Sequence, residues 1–500
     1  MTATVNGYLL VLALVLPVAA TLAAPLPGGR HAERITLLLL PAGLAVALAI
    51  AASVLGAGAP LVYLLGGWVP PLGIALRADG FSAAMLVTTA LVIGATALVA
   101  RDGFRTPPDV VEARRPLVFW TLLPALWAAL TAVFVGGDLF NLYVGLELLT
   151  FAGLPLVCLD GGAATLAAAL RYLLFVLLGS VLYLLGTALV YGTWGTLDIA
   201  LLAQRIQPGP TAAIAATLMT TGLLAKTALF PLHLWLPPAH AGAPAAASAV
   251  LSALVVKASF FLIVRLWFDA MPGVFTQSAA QFLAALGAGA ILVGGVLALR
   301  QARLKPLIAW STVAQIGYLF LLFPLASGTS PTWNLVAWTG GLLQAISHAL
   351  AKAAMFLAAG LVAGALGHDR IAGLAGLARV LPMTVLALGL AGLSLVGVPP
   401  SGGFAAKWLL LRAAIASGQW WWALVVLGGG LLAGGYVFRI LAPALGGAAE
   451  PPHLRARVSR GREAVVLALA LCSVLIGLLP LGAFGLLRIG RPELMTVALP

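Results

Sequence analysis

Apolar runs of 18 or more residues recur from one end of this chain to the other. Each is long enough to cross roughly 30 Å of hydrocarbon as a helix. That feature leaves few folds open. In lipid the backbone must satisfy its own polar groups, so a spanning chain is helical or a closed barrel. Alternating strand-length segments, the mark of a barrel, are absent. Charge content agrees, with 8% of residues charged against about 25% in an ordinary soluble domain. The reading is an all-α polytopic membrane protein with about fourteen transmembrane helices. They start near residues 7, 35, 80, 116, 138, 166, 211, 243, 277, 306, 334, 381, 420 and 464. The first, about Gly7 to Ala24, has no basic n-region and is kept as a helix rather than a signal peptide.

The net charge of +13 points to nucleic acid only until the charges are placed. If the odd-numbered loops are cytoplasmic, they hold 16 Lys and Arg, and the other side holds about five. This positive-inside asymmetry puts the chain in a bacterial inner (cytoplasmic) membrane with both termini on the outer side. Four arginines in Glu450–Arg462 then read as topology and contact with anionic lipids, and no nucleic-acid partner is expected. Trp420, Trp421 and Trp422 read as an interfacial belt. Cys158 and Cys472 both fall in predicted spans, so neither a disulfide nor a Cys-based metal site is expected. The longest connections, Arg101–Arg115, Thr193–Gly209 and Gly446–Arg462, are too short for a cofactor-binding domain. There is no Walker loop, dinucleotide glycine pattern or paired Cys-x-x-Cys. Hence no cofactor, metal or catalytic site is expected, and any redox chemistry belongs to partner subunits.

Two spans look broken, and they resemble each other. The seventh reads Leu223-Leu224-Ala225-Lys226-Thr227-Ala228-Leu229-Phe230-Pro231, and the twelfth runs from Val398-Pro399-Pro400-Ser401-Gly402-Gly403 to Lys407. Proline removes a backbone donor and clashes with the preceding turn. In lipid such breaks survive where protein or water satisfies the freed carbonyls. A matched pair of interrupted helices points to inverted repeats around a midplane ion site.

Charges inside the spans sharpen this. Glu147 lies nine residues into the fifth span, and Lys226, Lys257, Lys352 and Lys407 are surrounded by apolar sequence. A Lys or Asp at a helix centre costs about 2.5–3.5 kcal/mol on insertion scales. Five such groups, unpaired and dry, would cost on the order of 10 kcal/mol. Snorkelling or static salt bridges are the bland alternatives. For Lys352 another is a polar interhelical contact with His348, four residues earlier on the same face. The functional alternative is proton transfer. Burial disfavours a lone ammonium and a nearby carboxylate restores it, so small changes in pair distance load or unload a proton. If Glu147 faces Lys226, separating them would send a proton toward Lys257, then His348 or Lys352, and finally Lys407. His233 and His240 flank a proline-rich turn without a carboxylate or Cys nearby and read as access-path or structural groups. His31, His368 and His453 read as surface.

At these residues the chain resembles the antiporter-like subunits shared by Mrp cation/proton antiporters, complex I and membrane-bound hydrogenases. The resemblance is carried by Gly137-Asp138-Leu139-Phe140-Asn141-Leu142-Tyr143 with Glu147, and by Ala225-Lys226-Thr227-Ala228-Leu229-Phe230-Pro231-Leu232-His233-Leu234-Trp235-Leu236-Pro237. It continues in Ala309–Tyr318, Ser347-His348-Ala349-Leu350-Ala351-Lys352-Ala353, and Gly397-Val398-Pro399-Pro400 to Lys407. It implies two inverted five-helix repeats, spans four to eight (116–267) and nine to thirteen (268–445). These would follow a three-helix segment (1–115) and precede a basic loop and C-terminal helix (446–500). It also implies Glu147 and Lys226 as a coupled pair, Lys257 and His348 as central relays and Lys407 as a terminal group. Pro231, Pro399 and Pro400 would be the helix breaks, and Asp138 would lie on an access path. The Asp-Leu-Phe-Asn-Leu stretch, Lys407 and the length look like the Mrp D-type subunit. The turn from Pro237 to Pro244 looks more like the complex I and hydrogenase versions. Span ten opens Ala302-Arg303-Leu304-Lys305-Pro306, without the aspartate common at that place. The expectation is a subunit translocating protons, with Na+ or K+ as the coupled ion, beside other membrane subunits. The leading reading is part of a multi-subunit Mrp-type antiporter; a proton-pumping membrane-arm subunit of a complex I-like NADH:quinone oxidoreductase or hydrogenase, a membrane subunit of an inorganic-carbon uptake complex and a stand-alone solute symporter are the other readings.

Overall fold

The computed structural model describes residues 2–107, 109–110, 112–447 and 452–495. Glu450, within the predicted basic loop, lies outside them. Among the described residues, eleven helices are long and apolar enough to cross a membrane. The chain opens with α1 (Tyr8–Ala23), α2 (Gly29–Ala57), α3 (Gly80–Ala100) and α4 (Arg114–Val135). Next come α5 (Leu139–Val157), α6 (Ala163–Trp194), the short α7 (Ile199–Arg205), α8 (Pro210–Thr227) and α9 (Leu236–Gly242). The second half holds α10 (Ala245–Ala270), α11 (Gln277–Leu299), α12 (Leu304–Leu325), α13 (Pro331–Leu366), α14 (Pro382–Val396), α15 (Gly402–Ala416), α16 (Trp421–Leu445) and α17 (Arg460–Leu478).

The all-α expectation needs one correction. Leu61–Leu64 and Ala75–Ala78 pair as a two-stranded antiparallel hairpin, β1 and β2. Strands of four residues are too short to show an alternating pattern. Thr4 satisfies one edge, its N–H and hydroxyl both donating to the Val62 carbonyl (2.9 and 3.1 Å).

Burial is graded. α10 is buried over its whole membrane-length window. α13, with 36 residues, is about 54 Å long and packs against α10, α12, α14, α15 and α17. Glycine allows a close approach between α6 and α8. A Cβ at Gly179 would lie 2.5 Å from the Gly222 carbonyl oxygen, and one at Gly222 would be closer still to that of Gly179. Small residues permit such contacts where lipid supplies no hydrophobic drive between helices.

Both expected breaks are present. α8 stops at Thr227, Ala228 takes a left-handed φ of 58°, and the helix resumes at Leu236. The Trp235 indole donates to the Ala225 carbonyl (2.9 Å), satisfying one acceptor that the break releases. α14 stops at Val396 and turns through Gly397 (φ 89°). α15 then begins behind Ser401, whose hydroxyl accepts from the Phe404 N–H (3.1 Å). The Phe230–Pro231 and Pro399–Pro400 peptides are cis. The tryptophan belt is narrower than expected: Trp420 and Trp421 are exposed, but Trp422 is buried and donates to Gln281 (3.0 Å).

Candidate functional site

The predicted pair is formed. Glu147 on α5 and Lys226 at the end of α8 meet with Nζ–Oε1 3.0 Å, at 17% and 4% side-chain exposure. Sequence reasoning missed Ser180 on α6, whose hydroxyl donates to the same Glu147 oxygen. A serine in a helix carries no insertion penalty worth noticing. Only the Gly179–Gly222 approach of α6 to α8 places it there, and its carboxylate-facing register is a tertiary fact.

A small cavity of about 10 Å³ lies beside Lys226, lined by Thr150, Tyr172, Val255 and Ser259 among others. That is about the room one water needs, and it links the pair to α10. There Leu251–Val255 is π-helical, a distortion frequent at functional sites. Lys257 folds back on it and donates to the Ser252 carbonyl at 2.5 Å.

From Lys257 polar groups continue in hydrogen-bond contact as far as Lys352. The Ser252 hydroxyl meets Thr312 Oγ1 (2.9 Å), and Thr312 donates to the Ile308 carbonyl (3.0 Å). Lys352 donates to that same carbonyl (3.0 Å) and to the Ser311 hydroxyl. Lys352, His348 and Gln344 follow at four-residue spacing on one face of α13. His348 is buried with neither ring nitrogen bonded, and its charged neighbours are Lys257, Lys352 and Lys407. Gln344 donates to Gln315 (3.1 Å), and Gln315 donates to the Leu395 carbonyl (2.9 Å). Lys407 donates to that carbonyl (2.5 Å) and to Val396 (3.2 Å), and its ammonium sits 4.2 Å over the Tyr318 ring. The second break therefore differs from the first. Among the described residues Lys407 has no carboxylate within ion-pair distance; the carbonyl end of α14, which carries partial negative charge, and a ring face take its place.

The remaining predicted residues separate. Asp138 caps α5, accepting from Phe140 and Asn141 N–H groups (2.9 and 3.1 Å). Burial pushes its carboxyl up, against those two bonds. It lies off the axis. His240 is buried against Phe356 and within electrostatic range of Lys305, Lys352 and Lys257. Lys305 donates to the Ala243 carbonyl (2.5 Å). It also lines a cavity of about 440 Å³ with Arg115, Asp160 and Arg462. His233 packs on Phe230 and Trp310. The carboxylate missing from the start of span ten comes from elsewhere: Asp369 pairs with Arg303 at 2.6 Å. Also unforeseen, Arg265 on α10 forks onto Asp79, the N-cap of α3, at 2.5 and 2.7 Å and reaches Asp269 at 2.7 Å. Burial raises the Asp79 carboxyl, but the Arg265 charge and its hydrogen bond, with the Arg77 charge and the Ser82 N–H, together outweigh it and hold it at about 2. The i,i+4 spacing of Arg265 and Asp269 was the available signal. Among the described residues no His, Cys, Asp and Glu group could hold a metal ion.

Fold and site together define a multi-pass integral membrane protein built around a buried file of ionisable side chains. Residues 136–433 match the family described as "NADH:quinone oxidoreductase/Mrp antiporter, TM", and the chain belongs to that family. It is 35% identical to the N-type subunit of the NADH-quinone oxidoreductase of Desulforudis audaxviator over 82% of this chain and 81% of that one. It is 29% identical to the D-type subunit of the Na(+)/H(+) antiporter of Bacillus subtilis over 83% and 82%. Its fold superposes on a chain of the Mrp complex from Dietzia sp. DQ12-45-1b with a TM-score of 0.87, at 25% identity, covering 99% and 98%.

Proposed function

We propose that this chain is a proton-translocating subunit of a multi-subunit membrane complex, of the Mrp cation/proton antiporter type. The observation that carries the reading is the file from Glu147–Lys226 to Lys407. Its titratable groups are interleaved with hydroxyls, amides, carbonyls and a water-sized cavity inside an otherwise apolar core, with the unbonded His348 between Lys352 and Gln344. Glu147 and Lys226 act as the loading pair, Lys257, Lys352 and His348 as relays, and Lys407 as the terminal group. The cavity at Lys305, beside His240, supplies access from one end. The chain has fourteen spans, with spans four to eight and nine to thirteen as inverted repeats. The lysine-bearing breaks at corresponding places support this arrangement. The arginine-rich loops support a topology with both termini on the outer side. The test is cation-driven proton flux in everted vesicles from an antiporter-deficient host expressing the complete complex. Flux lost on Lys257→Met with the complex intact supports the relay; unchanged flux removes it.

The 35% identity to an N-type subunit favours a second reading, a pumping subunit of an NADH:quinone oxidoreductase-like complex. Affinity purification of the tagged chain in mild detergent separates the two. Small membrane subunits alone support the antiporter, whereas iron–sulfur or flavin subunits support the pump.

A further inference from the structure

Away from the polar file, a cavity of about 410 Å³ opens at the loop end of α2 and α3. It is lined by Arg30, Glu33, Arg34, Arg101, Arg105 and Thr106, with Pro107. Only one acid lines it against four arginines, and that acid is already committed: Glu33 accepts from Arg101 at 2.7 Å. Arg30 braces the loop, donating to the Pro107 carbonyl at 2.9 Å. Arg34 and Arg105 are exposed, and neither has an ion-pair or hydrogen-bond partner among the described residues. Glu112 approaches Gly28 at the start of α2 and does not line the cavity. Thr106 is 4% exposed, and its hydroxyl is buried with no partner. An unsatisfied buried hydroxyl beside two uncompensated guanidinium groups describes a site short of an anionic, multiply accepting group.

We infer that this cavity binds the phosphate headgroup of an anionic membrane lipid. Arginine forks match phosphate oxygens in a bidentate way, and the Thr106 hydroxyl supplies a further donor. The α2 surface favours a lipid over free phosphate. Arg30, Arg34 and Leu38 recur at four-residue spacing on one helix face, and Leu38 is 75% exposed. A headgroup held at Arg34 therefore places its acyl chain over Leu38, along a helix that is hydrophobic and one-third buried. The site lies in the N-terminal helices, outside the matched residues 136–433, and does not depend on the proton reading.

The experiment is native mass spectrometry of the purified complex in detergent, titrated with phosphatidylglycerol, phosphatidylcholine or inorganic phosphate. The wild-type chain is expected to retain phosphatidylglycerol over phosphatidylcholine. Arg34→Gln with Arg105→Gln should weaken retention roughly thirty-fold, from about five-fold per arginine near an anionic headgroup. Arg455→Gln with Arg457→Gln, in the other basic loop, should leave it unchanged. Thr106→Val tests the buried hydroxyl without altering charge and should weaken it several-fold. Equal retention by the Arg34/Arg105 double variant overturns the site. Inorganic phosphate binding as tightly as the lipid overturns the lipid assignment.

Discussion

Replacing Glu147 with Gln keeps the shape of the side chain and its bond from Ser180 while removing the charge. Unit charges 3.0 Å apart attract by about 5 kcal/mol at an effective dielectric of about 20. Glu147 is 17% exposed, and solvent reduces the usable part to about 3 kcal/mol, in the range found for breaking buried pairs. That is the free energy by which Lys226 loses support for its proton, roughly a hundred-fold in the ratio of protonated to neutral amine at fixed pH. If Lys226 must be loaded for transport, flux in everted vesicles falls about a hundred-fold or more. Glu147→Asp, which keeps the charge on a shorter arm, recovers part of it. Assembly, read by size exclusion of the complex, is unchanged, because a neutral amine and an amide still satisfy each other. Flux within two-fold of wild type for Glu147→Gln would refute the claim that this pair loads the file.

Ser180→Ala removes one hydrogen bond to a charged acceptor, worth about 1.5–3 kcal/mol, but leaves both charges; flux drops by a factor of ten or more, yet less than for Glu147→Gln in the same vesicle assay. Lys407→Arg keeps a cation over Tyr318 but cannot release its proton, so it is as inactive as Lys407→Met while the complex still assembles; a functional Lys407→Arg chain would show Lys407 to be structural. Gly222→Leu places side-chain atoms where the Gly179 carbonyl stands, and overpacking of this kind costs at least 1–3 kcal/mol; the thermal midpoint falls and the Glu147–Lys226–Ser180 geometry is lost with it. Asp79, held at about 2 chiefly by Arg265, binds protons more weakly folded than unfolded, so its stabilisation of about 2 kcal/mol is present above about pH 4 and is lost as pH falls toward 2. Asp79→Asn should lower the midpoint at neutral pH and flatten its fall in that acid window.

Buried charge makes the axis legible along the chain itself. A carboxylate or ammonium in a span carries a cost visible in one dimension, so Glu147, Lys226, Lys257, Lys352 and Lys407 stand out from their neighbours. The two breaks are legible for a similar reason, since proline and paired glycines cannot continue a helix. Neutral connectors carry no such mark. Ser180, Ser252, Thr312, Gln315 and Gln344 are unexceptional helix residues, and only the helix approaches that set their partners give them meaning. Asp138 has a second reading that the motif does not announce: its position before the first helical turn makes it a cap, accepting from Phe140 and Asn141. The β1–β2 hairpin stays hidden because eight residues in two short strands look like any apolar connection.

The choice of cation supports a proton role more strongly than burial alone. The chain has 22 arginines and only five lysines, Lys226, Lys257, Lys305, Lys352 and Lys407. Arginine serves mostly at loops and helix ends, with Arg171, Arg412 and Arg439 inside α6, α15 and α16, and in the Arg265–Asp79–Asp269 clasp a permanent charge is satisfied by two carboxylates. Every lysine instead turns its amine inward, four onto backbone carbonyls and one onto Glu147. A guanidinium would suit those carbonyls at least as well if a fixed cation were all that was needed, since it is more weakly hydrated and offers more donors. What lysine adds is an amine that can exist neutral once desolvated. Reserving it for interior carbonyl sites, while arginine takes the static pairs, is the pattern expected where the proton must leave.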